Sequence, residues 1–254
     1  MTSNKTPPVF TMITAALNPG PEVRQTIESV LSQGYRSFEY IFVDGGSKSE
    51  SFRHIEPYTR HFAAFIHEPD NGISDAWNKA LARASGEIVG IINADDYLLP
   101  DALSKVAHVY QRHGGSPIIH GDALRIENGR ESVRSATIPL WLMIRFGTPV
   151  IHPATFVPKR VYEKIGTFDT NYRIAMDYDL ILRAYRANIP LVRIATPLVG
   201  FRGGGLSDRK PLDGFREVRN SQLANGFNRP LVETIHAAKF CVRKYVRPML
   251  GIKR

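Results

Sequence analysis

Asp95 and Asp96, adjacent carboxylates, follow Asn93 and Ala94 at the end of a short apolar run, Glu87-Ile88-Val89-Gly90-Ile91-Ile92. A run this short and this rich in β-branched residues reads as a buried strand. Open α/β sheets bind ligands in the crevice beyond their strand ends, so the acids stand where a ligand would lie. Unpaired carboxylates are costly to bury, and a pair of them calls for cationic partners or a hard metal ion. The plainer alternative is that they start the next turn and cap the helix that follows Pro100.

Three further positions carry the same ambiguity. Asp44 ends the run Phe38–Val43 just before Gly45-Gly46-Ser47. It either shapes that turn or accepts hydrogen bonds from a nucleobase N–H or a ribose hydroxyl. Asp75 and Asn78, three apart behind Asn71-Gly72, share a helix face. That face is either solvated, with Asp75 a favourable first-turn acid, or set beside a ribose, a sugar or a diphosphate. Gly72 at the helix entry suits close backbone approach or special dihedral angles. Asp177 and Asp179 open another helix but diverge by roughly 200° around it, so they do not easily share one substrate. Either they are acids favoured by the helix dipole, or one is a base, which needs its pKa raised by burial or by nearby phosphate charge. Asp179 then fits as a partner for Arg183.

The elements that must position these groups alternate along the chain. Val9–Ala16 reads as a strand, ended by Asn18-Pro19-Gly20-Pro21, and Val23, Ile27, Val30 and Leu31 mark a helix face that stops at Gly34. Phe38–Val43 and Phe62–His67 read as strands. Helices are predicted from Gly72 to about Ala84 and from about Pro100 to His113. Strands alternating with helices at this spacing imply a largely parallel sheet with helices on both faces. The second half is less regular. It offers a strand at Pro117–His120, a hairpin turn at Glu127–Arg130, and a mobile loop or short helix with Trp141 and Phe146 at Ile138–Pro149. Helices at Lys159–Ile165 and Tyr178–Ala187 and a strand at Leu191–Val199 follow.

With 254 residues, 43% apolar and 22% charged, the chain can bury a full core and has ordinary globular composition. One cysteine, Cys241, excludes an internal disulfide framework and a multi-cysteine zinc site. No apolar stretch of signal-peptide or membrane-spanning length is present, which predicts a cytoplasmic protein. The net charge is +9, and from Arg229 onward seven Lys/Arg face one acid, Glu233, so six of the nine net charges lie there. A basic tail on a nearly balanced body argues against nucleic acid as a partner. Ile235, Ala238, Val242, Tyr245, Val246 and Met249 fall on one helical side of it, with Lys239, Arg243 and Arg247 on a flank. Such a helix suits anionic lipid headgroups on the inner membrane face; alternatively its stripe packs on the core or on a second subunit in a homodimer.

Asp44-Gly45-Gly46-Ser47, Asn71-Gly72-Ile73-Ser74-Asp75-Ala76-Trp77-Asn78-Lys79-Ala80, Asn93-Ala94-Asp95-Asp96, and Gly166–Asp169 with Met176–Arg183 occur in one order. In this set the chain resembles the family 2 glycosyltransferases of the GT-A fold over roughly Thr11 to Arg202. It is similar in particular to bacterial surface-polysaccharide transferases with the helix motif G-I-x-D-A-x-N-K. The resemblance implies a three-layer αβα sandwich with a mainly parallel central sheet. Residues 1–228 would form the catalytic domain, divided near residue 98 into donor-side and acceptor-side halves, with 229–254 as the basic tail. It implies an inverting transfer from a nucleoside diphosphate sugar, a UDP-sugar first among them, to a hydroxyl of a glycan or lipid-linked glycan. The donor side would comprise Asn18, Asp44, Gly72, Asp75, Asn78, Asn93, Asp95 and Asp96. Asp95, matching the second acid of the family's D-x-D motif, would hold Mg²⁺ or Mn²⁺; Asp177 would be the base; Trp141 and His152 would lie on the acceptor side, and the Arg202-Gly203-Gly204-Gly205 stretch suits a lid.

The chain departs from the family pattern twice: Asn93 stands where the first acid is usual, and Met176 precedes Asp177 where Glu is common. These departures keep a catalytically silent sugar-nucleotide-binding or glycan-binding subunit open, although Asp95 and Asp177 are retained. A hydrolase of the same sugar nucleotides also stays open. A nucleotidyltransferase would show a Gly-rich basic loop after the first strand, where Leu17-Asn18-Pro19-Gly20-Pro21 has no lysine. A dinucleotide-binding dehydrogenase is disfavoured because no G-x-G-x-x-G follows a strand.

Overall fold

The centre of the sheet is built from strands that are apolar on both faces: β1 (Phe10–Ala16), β2 (Phe38–Asp44), β3 (Ala64–His67) and β4 (Ile88–Ile91). In the computed structural model, which describes residues 9–127, 130–203 and 205–246, Ile13, Ile41, Val43, Val89 and Ile91 enter one apolar layer. Phe10, Met12, Tyr40, Phe42 and Ile88 enter the other. Burial on both faces is why these strands read as nearly unbroken apolar runs. Between them lie helices α1 (Val23–Leu31), the short α2 (Ser49–Phe52) and α3 (Ile73–Leu81).

The chain continues through β5 (Tyr97–Leu98), α4 (Ala102–Arg112), β6 (Ile118–Glu127), β7 (Arg130–Arg134), α5 (Leu140–Met143), β8 (Thr155–Pro158) and α6 (Lys159–Ile165). It closes with α7 (Met176–Arg186), β9 (Leu191–Arg202), α8 (Leu206–Arg209), α9 (Pro211–Ala224) and α10 (Arg229–Cys241). The strand order is β3-β2-β1-β4-β8-β6-β9-β5, with β7 on β6. Strands β1 to β4 form the parallel half, and β6 and β9 are also parallel. Strand β8 joins the halves by running antiparallel to both β4 and β6. Ala16 lies opposite Asp44 and Ile13 opposite Ile91, so β1, β2 and β4 release their loops along one edge.

Three elements differ from the sequence expectation. Strand β6 continues to Glu127, since its outer half is partly exposed and lacks an apolar run, and β9 continues past Val199 to Arg202. The hairpin expected at Glu127–Arg130 is framed by the β6–β7 pairing of those two residues, while Asn128 and Gly129 lie outside the described residues. Helix α9 was not expected at all, because only Val218, Ser221 and Gln222 are buried along its fourteen residues.

Polar bonds attach α9 to the body. Ser221 donates to Asp179 at 2.7 Å, and Gln222 donates to the Tyr178 hydroxyl at 2.9 Å and the Ile144 carbonyl at 3.0 Å. The Glu217 carboxylate accepts the backbone N–H groups of Arg173, Ile174 and Ala175 at 2.8–3.1 Å.

The tail stripe also needs correction. Helix α10 docks through Val232 and His236, which are buried, and the His236 ring meets the Gln222 side chain at 3.0 Å. Val242 and Tyr245, expected on the packing side, are about half exposed at 48% and 53%. Arg247, Met249, Lys253 and Arg254 lie outside the described residues. Among the described residues no helix is long and apolar enough to cross a membrane.

Asp179 holds this second half together. It pairs with Arg183 at 2.7 Å, and Arg183 also donates to the carbonyls of Ile165 (2.5 Å) and Thr167 (2.7 Å). Asp179→Ala strands a largely buried guanidinium, and the expected loss is about 3–5 kcal/mol in urea unfolding. A loss below about 1 kcal/mol would show that the pair acts like a surface ion pair.

Candidate functional site

The loop after β4 is held from inside by Asp96. Its carboxylate, 4% exposed, accepts from the Asn93 amide at 2.8 Å and from the backbone N–H of Arg202 at 3.2 Å. Thr26 of α1 donates to the Asp96 carbonyl at 2.6 Å. Tyr97 then lies against Gly200 so closely that a Cβ there would sit 2.2 Å from the ring. Burial, and then the charge of Asp95, push the Asp96 carboxyl up to about 7. One acid therefore anchors the loop, and its neighbour Asp95 is exposed.

Asp95 lines a cleft of about 320 Å³ with Asn93, Asp96, Trp77, His152 and Asp177, and Arg125, Arg134 and Arg202 line it too. Asp95 and Asp177, with the buried Asp96 behind them, thus share the cleft with three guanidiniums. The His152 ring stacks on Trp77 at 4.6 Å, and burial lowers its pKa to about 4, so it is a neutral imidazole near pH 7. Trp77 Nε1 and Arg125 Nε are buried without a hydrogen-bond partner. Unpaired buried donors are unusual, and here both belong to residues on the wall of a polar cleft.

Asp177 stands in the first turn of α7 and accepts the Tyr178 N–H at 2.7 Å. Burial raises its pKa to about 6. It lines not only the Asp95 cleft but also a neighbouring cavity of about 500 Å³ walled by Met143, Phe146, Val150, Ile174 and Phe215. Asp177 is thus at the junction of a charged cleft and a more apolar one. Asp179, on the opposite side of the helix, is taken up by Arg183, as the sequence suggested.

Other expected site residues are placed elsewhere. Asn78 does not face the cleft: its amide donates to the Phe168 carbonyl at 2.8 Å and accepts the Phe168 N–H at 3.0 Å, which leaves it fixing a turn. Trp77, one position earlier and on another side of α3, is the residue that reaches the cleft. Asp75 accepts the Asn71 N–H at 2.9 Å and lies 3.5 Å from Lys79. Gly72 precedes α3 with φ of +112°, a conformation suited to glycine. Asp44 is fully buried and bound to Ser47 and, at 2.6 Å, to the His67 ring. Asn18 staples the β1 and β2 loops by accepting the Lys48 N–H at 2.9 Å. Trp141 is 56% exposed and has the Arg145 guanidinium 5.9 Å from its ring, outside the cleft. Sequence reasoning missed Trp77, Arg125 and Arg134. Trp77 lay inside a quoted motif, whereas the two arginines carry no pattern.

Among the described residues no group of three or more His, Cys, Asp or Glu could hold a metal by itself. The donor set at Asp95 fits a cation that takes most of its shell from a substrate diphosphate and water, as Mg²⁺ commonly does.

The profile of glycosyl transferase family 2 matches residues 11–166. A glycosyltransferase of Mycobacterium tuberculosis is 31% identical over 217 residues, covering 84% of this chain and 82% of its own length. A PGL/p-HBAD biosynthesis glycosyltransferase of Mycobacterium bovis is 28% identical over 183 residues, 70% of each chain. The chain therefore belongs to glycosyl transferase family 2. The fold is shared with S. aureus TarS, with a TM-score of 0.68 at 18% identity, covering 93% of this chain and 43% of TarS. TarS 1-349 has been solved with UDP-GlcNAc. It is shared also with the mannosyltransferase PcManGT of Pyrobaculum calidifontis, solved with GDP-Man and Mn²⁺, with a TM-score of 0.68 at 17% identity, covering 98% of this chain and 73% of that one.

Because the folded state disfavours the Asp177 charge, native stability falls as pH rises from about 4 to about 6 and the loss is complete above that range. Asp177→Asn is expected to be more stable than wild type at pH 7.5 by up to about 3 kcal/mol, with the difference vanishing below pH 4 or so. Equal stabilities at pH 7.5 in thermal or urea unfolding would mean that Asp177 is not desolvated.

Proposed function

We propose that the chain is an inverting glycosyltransferase that moves a sugar from a nucleoside diphosphate sugar to a hydroxyl of a glycan or lipid-linked glycan. The observation that carries the reading is Asp177, standing where the charged Asp95 cleft meets the second cavity. The donor would lie in the cleft with its diphosphate toward Asp95 and the sugar toward Asp177. The acceptor would enter from the cavity. Asp177 takes the hydroxyl proton as the oxygen attacks the anomeric carbon; the bond from that carbon to the diphosphate oxygen breaks, and the electron pair leaves with the nucleoside diphosphate. A single displacement of this kind inverts the anomeric centre.

A pKa near 6 suits the base role, since Asp177 is ionised at neutral pH yet more basic than an ordinary carboxylate. Arg125, Arg134 and Arg202 oppose the charge that grows on the departing diphosphate. A divalent cation held by Asp95 would add Lewis-acid stabilisation of the same charge. His152, neutral and stacked on Trp77, would give a flat wall beside the reacting sugar. The basic flank of α10 would rest on anionic lipid where the acceptor is membrane-borne. A UDP- or GDP-sugar is supported by the ligands of the TarS and PcManGT structures, and a lipid-linked product by the PGL-biosynthesis relative.

Calorimetric titration of UDP, GDP and dTDP, with and without Mn²⁺, tests the donor half. One nucleotide is expected to bind in a Mn²⁺-dependent way and to lose that dependence in Asp95→Ala; binding of none would sink the reading. Asp177→Asn should keep nucleotide binding while turnover falls by at least about a hundredfold. In wild type kcat/KM should rise with pH through an apparent pKa near 6, because the ionised carboxylate is the active form. A normal turnover in Asp177→Asn removes that residue from the base role.

A further inference from the structure

The stripe that α10 leaves uncovered borders a groove. Ile235, Ala238 and Val242 face Phe146 and Phe215 across an apolar trough of about 470 Å³. Lys239 and Arg243, one turn apart, line this trough and also the cavity that contains Asp177, and Phe146 and Phe215 are common to both spaces. The trough and the cavity therefore share a wall, and the two cations stand in it.

Among the described residues neither cation has a counter-ion: the ion pairs within 4 Å include neither of them, although Glu233 on the same helix is taken by Arg219 and Arg229. Lys239 Nζ is 4.3 Å from the centre of the Phe215 ring and donates to the Phe146 carbonyl, and burial lowers its pKa below the ordinary lysine value. The Arg243 guanidinium is 5.8 Å from the same ring. A partly desolvated cation on an aromatic face, with no carboxylate near it, gains most from an arriving anion. The apolar walls beyond it gain most from a hydrocarbon chain.

We propose that this trough is the acceptor subsite for a phosphate-bearing amphiphile, with the apolar chain along Ile235, Ala238 and Val242 and the phosphate between Lys239 and Arg243. The inference rests on the transferase reading above and names its acceptor class. The wall shared with the Asp177 cavity favours an acceptor molecule over bulk membrane lipid as the occupant, because a phosphate held by Lys239 and Arg243 lies at the boundary of the space that contains the base. A peripheral membrane contact needs no such adjacency.

The test uses the full chain and decyl phosphate below its micelle concentration as probe, with decanol and inorganic phosphate as controls. Decyl phosphate is expected to bind wild type, with decanol and inorganic phosphate each at least about tenfold weaker. Arg243→Gln and Ala238→Glu should each weaken decyl phosphate at least about tenfold; the second puts a negative charge on an exposed helix position where misfolding is not expected. Lys239→Gln adds the same loss unless melting curves show it unfolded, in which case the other two decide. Equal binding to wild type and both variants overturns the proposal. So does inorganic phosphate binding as tightly as decyl phosphate, which would make the site a bare anion site. Binding of anionic vesicles that both variants abolish, with no binding of decyl phosphate, also overturns it and makes the trough a membrane contact. Titration of UDP, GDP and dTDP into the same wild-type preparation separates the two readings: nucleotide binding without decyl phosphate binding defeats the acceptor subsite alone, and binding of neither defeats the transferase reading as well.

Discussion

The buried Asp179 carboxylate decides where the half of the molecule that carries Asp177 sits. One oxygen accepts from Arg183 and the other from Ser221, at 2.7 Å each. Through Arg183 it fixes the Ile165–Thr167 carbonyls, and through Ser221 it fixes α9. Breaking a buried pair exposes an uncompensated charge, so these segments are locked as a unit. The first turn of α7 belongs to that unit, and Asp177 belongs to the first turn. Two acids on one helix turn thus have opposite fates. The paired one sets position, and the one with no cation bound to it is left with a raised pKa on the cavity wall. Environments that separate neighbouring carboxylates in this way are what acid–base chemistry requires.

The same division of labour operates at the loop after β4. Asp96 is turned inward and ties the loop to Asn93 and to the end of β9, which leaves Asp95 outward. The asparagine at position 93 has a physical reason in this setting. Its amide donates to Asp96, whereas an aspartate there would place a third carboxylate beside two others in a site where burial already raises the Asp96 pKa. The departure from the family pattern is thus compatible with an ordered loop. The Met176 departure is explained by packing, since that side chain is buried in the apolar layer under α7.

Much of this was legible in the sequence, and the reason is burial on both sides of the parallel strands. Runs such as Ile88–Ile92 announce themselves, and the acids at their ends then fall on the ligand-binding edge. What was not legible is held by polar contacts. Helix α9 has few buried apolar residues, and Ser221, Gln222 and Glu217 attach it through hydrogen bonds that no periodicity records. Arg125 and Arg134 reach the cleft from strands β6 and β7 whose outer halves are not apolar. Asn78 and Trp77 show a finer limit: the motif pointed to the right helix turn, but neighbours roughly 100° apart had to be assigned to a face. The polar one met the Phe168 backbone and the aromatic one met the cleft.

The tail shows how a correct pattern can leave its partner open. The apolar stripe through Ile235, Ala238 and Val242 is real, but the core takes the adjacent side, Val232 and His236. The contact to the core uses His236 on Gln222, and Gln222 in turn holds the Tyr178 hydroxyl in α7. Helix α10 is therefore tied to the helix that carries Asp177, while its own apolar stripe stays open to a trough. A stripe needed only for stability would have been turned inward, where each buried side chain contributes about 1.5–3 kcal/mol. Left open beside two cations that have no ion pair among the described residues, and sharing a wall with the Asp177 cavity, it has the composition of a binding surface and not that of a core.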